Sequence, residues 1–147
     1  MTAVERISGR EKLINLFGRW PSFHDSEVLS LALEREAQVL RVRIYLFEMT
    51  SQVDAAGFYK LDKKSVATLS FARIADLTLN GFNQQNVLFG LAIADISSQQ
   101  LEGLLFEVTF DSSFGLEGSF KCQTIDVESV EPYESTLQSV QSPPQAL

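Results

Sequence analysis

The chain is poor in the residues from which reactive sites are built. Its 147 residues include one cysteine, one histidine, one tryptophan and two methionines. A lone Cys122 excludes an internal disulfide and points to a reducing compartment. One histidine and one cysteine cannot supply the nitrogen and sulfur ligands of an ordinary zinc site. No apolar run approaches the roughly 20 residues that a membrane-spanning helix requires. The start, Met1-Thr2-Ala3-Val4-Glu5-Arg6, has no apolar segment behind a basic opening, so it does not read as a secretory signal. The expected location is the cytoplasm, with no membrane partner.

Basic residues are scarce beyond position 80. Residues 1–80 hold 11 Lys and Arg against 10 Asp and Glu, a net charge of +1. Residues 81–147 hold Lys121 alone against nine acids, a net charge of −8. Such a field repels nucleic acid and draws in a basic protein, raising its association rate. The plainer reading is an acidic surface that keeps the protein soluble. Phosphate-cradling glycine loops of either common spacing are missing, and Gly115-Leu116-Glu117-Gly118 lacks the lysine and helix such a loop needs. The phenylalanines are not interleaved with basic residues, so they read as core and not as a platform for stacking bases.

What is present reads as one α+β domain over residues 1–134. Ser8 followed by Glu11 fits a capping box, and Leu13, Ile14 and Phe17 fall on one helical stripe ended by Gly18. A short N-terminal amphipathic helix over roughly 9–17 follows, and Pro21 forbids its continuation. The period then changes to two, the mark of half-buried antiparallel strands. Leu29, Leu31 and Leu33 share one face, as do Leu40, Val42, Ile44 and Leu46 in the next strand. Residues 48–62 lose periodicity and read as a loop. Val66–Asn80 fits one bent strand or two short ones. Val87–Ile96 fits a strand with Val87, Phe89, Leu91 and Ile93 on one face, although a helix is open. Leu101–Asp111 is the clearest strand. In the last strand the phase slips by one between Cys122 and Ile125, which calls for a β-bulge near Gln123–Thr124. The sum is a helix packed on about six or seven mostly antiparallel strands. The tail 135–147 has too little apolar content for a core and is expected to be disordered.

The sole histidine stands in Phe23-His24-Asp25-Ser26-Glu27, just after Trp20-Pro21. His-Asp side by side also occurs in histidine/aspartate phosphohydrolases, but their metal sites need several histidines. Asp25 and Glu27 alone would hold a hard cation weakly. A catalytic triad requires a base within reach of its nucleophile, and no nucleophile elbow surrounds any serine. No catalytic residue, metal or cofactor is therefore expected. Two readings remain for the segment. In the structural one, Ser22 or Asp25 accepts backbone amides, and a half-buried His24 donates to a carbonyl while Trp20 and Phe23 pack on the sheet. In the other, Trp20, His24, Asp25 and Glu27 grip a partner, since an aromatic anchor beside a sharp polar patch suits a binding hot spot.

The stretch Phe17-Gly18-Arg19-Trp20-Pro21-Ser22-Phe23-His24-Asp25-Ser26-Glu27-Val28 resembles the N-terminal signature of the bacterial immunity protein 50 family. Gly81–Val87, Val108–Leu116 and Phe120-Lys121-Cys122 are similar to its downstream pattern, so the resemblance covers about residues 13–132. It implies a small cytoplasmic α+β protein that binds and neutralises a cognate toxin domain and has no active site of its own. It carries no role onto His24, Asp25 or Glu27. An acidic C-terminal half suits a basic toxin. Two rival classes stay open: a small-ligand or enzymatic pocket near His24, and a self-associating module that pairs through a sheet edge.

Overall fold

Alternating apolar residues make strands only where a second layer covers the apolar face, and this chain supplies that layer from its own sheet. A computed structural model describes residues 2–133. The expected tail 135–147 lies outside the described residues. After a 3-10 turn at Val4–Arg6 comes one helix, α1 (Glu11–Phe17). Eight strands follow, not six or seven: β1 (Glu27–Glu34), β2 (Val39–Val53), β3 (Tyr59–Ala72), β4 (Ala75–Asn80), β5 (Val87–Asp95), β6 (Phe106–Phe114), β7 (Glu117–Cys122) and β8 (Thr124–Pro132). A second 3-10 turn, Ser97–Gln99, occupies the polar connection after β5.

The strands form a single sheet in the order β4-β7-β6-β5-β1-β2-β3-β8, and every ladder between named strands is antiparallel. Only Gln123 separates β7 from β8, yet β7 lies second from one edge and β8 forms the other edge. The sheet must therefore fold over, so that β4-β7-β6-β5 faces β1-β2-β3-β8. The rings of Phe71 on β3 and Phe120 on β7 meet between the halves, 5.0 Å apart and edge to face. Leu40, Val42, Ile44, Leu69, Val108 and Val127 are fully buried around them. Each such side chain contributes roughly 1.5–3 kcal/mol of burial.

The extra strand comes from the phase slip near Gln123. It marks the point where the chain leaves one half-sheet for the other, and the Gln123 N–H donates to the Ala72 carbonyl at 2.9 Å. The expected bulge is thus a strand break. Residues 48–62 are also not a loop. They extend β2 and β3 into a two-stranded arm, with Met49 opposite Leu61, Val53 opposite Tyr59, and a turn at 54–58. Bulges hid the alternation, since the register shifts twice between Leu46 and Val53.

Bulges also moved two expected faces. In β1 a register shift between Val28 and Ser30 buries Val28, while Leu33 stays 57 % exposed. In β5, a strand and not a helix, a shift between Leu88 and Gly90 buries Leu88 and leaves Phe89 58 % exposed. The inward residues expected for β2 are buried, Leu40, Val42, Ile44 and Leu46, as are Phe106, Val108 and Phe110 in β6. The strand expected over Leu101–Asp111 in fact begins at Phe106, and Leu104, also expected inward, precedes it and is only partly buried.

The helix begins without the expected capping box. Arg10 occupies the cap position, and no side chain caps the helix. The Ser8 backbone is engaged with the edge of β8: its N–H donates to Ile125 and its carbonyl accepts from Val127. Gly9 turns the chain there at φ +75, where a Cβ would collide with the Val127 carbonyl. Leu13 and Phe17 are buried, Ile14 only partly, and Gly18 closes the helix in the left-handed conformation.

Candidate functional site

The two half-sheets are joined weakly by strand pairing. Between β1 and β5 the ladder has one registered pair, Glu27 and Val87. The remaining hydrogen bonds come from the segment just before β1 and from its second residue. The Asp25 N–H donates to the Leu88 carbonyl (2.9 Å), the Leu88 N–H to the Ser26 carbonyl (2.8 Å) and the Val28 N–H to the Asn86 carbonyl (2.9 Å). Phe23–Glu27 is therefore the seam on which the sheet folds over.

Sequence makes the seam sharp. Phe23 and Asp25 both take positive φ, 64 and 65, a conformation costing an L-residue roughly 1–2 kcal/mol. Burial and hydrogen bonding offset it. Phe23 is 2 % exposed, and its carbonyl accepts both the Ser26 N–H at 3.1 Å and the Ser26 hydroxyl at 2.5 Å. Ser26 itself is buried. The partner side is held by Asn86, 2 % exposed. Its Oδ1 accepts the N–H groups of Asn83 (2.8 Å) and Leu116 (3.1 Å), and its Nδ2 donates to the Asn83 carbonyl (2.8 Å). Gly115, at φ +87, is required beside it, because a Cβ there would press on the Asn86 side chain. Ser26 and Asn86 carry no charge and lie in no catalytic spacing, so sequence reasoning about reactive groups passed over them. The signal available was their place in two of the stretches that carry the family resemblance.

The four expected partner-binding residues do not form one site. His24 and Asp25 stand together, with Nδ1 to Oδ2 at 3.3 Å and side chains 53 % and 42 % exposed. The His24 ring meets Phe89 edge to face at 5.2 Å. Among the described residues no carbonyl accepts from this ring, so the half-buried lock expected of His24 is absent. Ser22 does accept an amide, that of His24 (3.2 Å), whereas Asp25 enters the network through its backbone. Trp20 is half-buried against the core, its ring 5.8 Å from that of Phe23. Glu27 lies on the other side of the seam, lining a groove with Asn83, Gln84, Gln85 and Phe114.

His24 and Asp25 open onto a cleft of about 480 Å³ whose wall includes Arg19, Leu46, Glu48 and Met49. It joins the seam to the base of the β2–β3 arm. Its charged groups suit contact with a polar surface. Burial pushes the Cys122 thiol up to about 12 and withholds its thiolate. Among the described residues no group of three or more His, Cys, Asp or Glu is placed to hold a metal ion. No helix among them is long and apolar enough to cross a membrane.

Three separate stretches thus converge on the seam: Phe23–Glu27, Asn83–Leu88 and Phe114–Leu116. No curated protein and no solved structure matches the chain. The model of one family, described as immunity protein 50, matches residues 9–133, which takes in all three stretches and every strand. With that match spanning most of its length, the chain belongs to the immunity protein 50 family.

Proposed function

We propose that the protein binds a cognate toxin domain one to one in the cytoplasm and neutralises it by occlusion, with no catalysis, metal or cofactor of its own. Family membership is the observation that carries this reading. The net −8 of residues 81–147 supports a basic partner, because it speeds the approach of a cationic protein and discourages nucleic acid. Trp20, His24, Asp25 and Glu27 are proposed contributors at or beside the seam. Occlusion asks for a rigid surface and no reactive group, which fits a site whose buried polar atoms are occupied in holding the fold.

The test is reconstitution with the toxin domain encoded beside the gene. The expected result is a 1:1 complex in which toxin activity is lost and association slows as salt rises. A mixture that shows no complex, or a complex in which the toxin stays active, overturns the proposal. One observation favours a second reading, a small-ligand site: the cleft that His24 and Asp25 share with Arg19 and Glu48. Loss of a measured activity in His24→Ala at unchanged stability would favour it.

A further inference from the structure

The two half-sheets present different outer faces to solvent. On β4-β7-β6-β5 the register lines up small side chains across all four strands: Ala92 beside Thr109, Thr109 beside Ser119, Ser119 beside Thr78. Nothing tall rises from this row, so the face is open to a flat approach. Acids flank it on both sides. Lys121 is its one cation, and it is already engaged, 3.5 Å from Asp76 and 3.8 Å from Glu107.

Asp111 and Glu117 are left over. Both are exposed, and neither forms an ion pair among the described residues. The β6–β7 register ends at the pair of Phe110 and Gly118, and Asp111 and Glu117 are the next residues on the two strands. Two unpaired carboxylates at the ends of neighbouring strands repel each other. A cationic group seated between them would relieve that repulsion. Beside Asp111, across from Gly90, the β5 bulge pushes out Phe89, backed by the His24 ring. An exposed aromatic next to unsatisfied charge is how binding hot spots are composed. The other outer face lacks this single-sign character, because Arg41 and Arg43 lie on it and Arg41 is held by Glu128 at 3.0 Å.

We infer that the outer face of β4-β7-β6-β5 is the docking surface, and that it takes a basic protein face whose Arg or Lys side chains sit between Asp111 and Glu117 with Phe89 as apolar anchor. This inference rests on the toxin-binding reading and locates its interface.

Two charge-reversal variants with equal net charge test it: Asp111→Lys with Glu117→Lys on the face, and Glu34→Lys with Glu36→Lys at the exposed β1–β2 turn. Both are measured against the toxin domain encoded beside the gene, after a thermal melt shows that they fold. The face variant is expected to lose roughly 100-fold or more in affinity, and the turn variant no more than a fewfold. Equal losses would mean that net charge and not this face matters, and wild-type affinity in the face variant would remove the face outright. A hexa-arginine peptide titrated into labelled wild-type protein gives a readout free of the toxin. Amide shifts centred on 109–119 support the surface, and shifts centred elsewhere or absent overturn it. Failure of the wild-type protein to bind the toxin domain would instead strike the toxin-binding reading itself.

Discussion

The side-chain oxygen of Asn86 accepts the backbone N–H of Leu116 at 3.1 Å, thirty residues away in the chain. That one amide ties the segment entering β5 to the turn between β6 and β7. It stands directly behind the seam where Phe23–Glu27 joins the two halves of the sheet.

Asn86→Ala should therefore unfold more easily. Truncation leaves the Leu116 N–H and two backbone groups of Asn83 without their partner in a buried site, at roughly 1–3 kcal/mol for such a group. Urea denaturation should show a lower midpoint with an unchanged slope. A midpoint equal to wild type would mean that water replaces the side chain.

His24→Ala should melt within about 0.5 kcal/mol of wild type, as exposed substitutions do. The ring is half exposed, and its neighbours are the Asp25 carboxylate and the Phe89 ring. A drop of several degrees would restore the structural lock that the segment first implied. Toxin affinity measured on the same variant separates a contact role from a silent one.

Cys122 should resist thiol reagents in the folded protein and react at once in guanidinium. Burial raises its folded pKa to about 12, well above the ordinary thiol value near 9. The folded state keeps its proton where the unfolded state has released it. Stability contributed by the neutral thiol is thus complete below pH 9 and falls as pH climbs from 9 toward 12. Cys122→Ser should show a flatter loss of stability across that window in pH-dependent denaturation.

The β2–β3 arm should exchange its amide hydrogens first. β1 pairs with β2 only as far as Tyr45, and β8 with β3 only as far as Ser65, so Glu48–Asp62 is a two-stranded ribbon among the described residues. Such ribbons are marginal alone. Exchange mass spectrometry should find peptides from 49–60 labelled well before those from 66–72. Equal protection would point to a cover over Met49 and Tyr59, for example a second copy.

Much of this architecture is legible without coordinates. Strict alternation in Leu40–Leu46 and Phe106–Phe110 identifies buried faces, because period two admits only one assignment when one face must be dry. Alternation fails wherever the backbone bulges. Leu29, Phe89 and the stretch 48–53 lie at register shifts, and a bulge changes side-chain phase without leaving a residue type as its mark.

The sequence by itself determined the α+β class, the acidic C-terminal half, the lack of any internal disulfide and the family signature around His24. Each of these follows from residue type and local spacing. Tertiary structure alone decided what Phe23–Glu27 is for. Its hydrogen bonds run to Asn86 and Leu88, and no local pattern could reveal that two half-sheets close on that seam. The fold likewise left Asp111 and Glu117 exposed and without an ion-pair partner among the described residues, because which side chains meet is a property of the closed sheet and not of either strand.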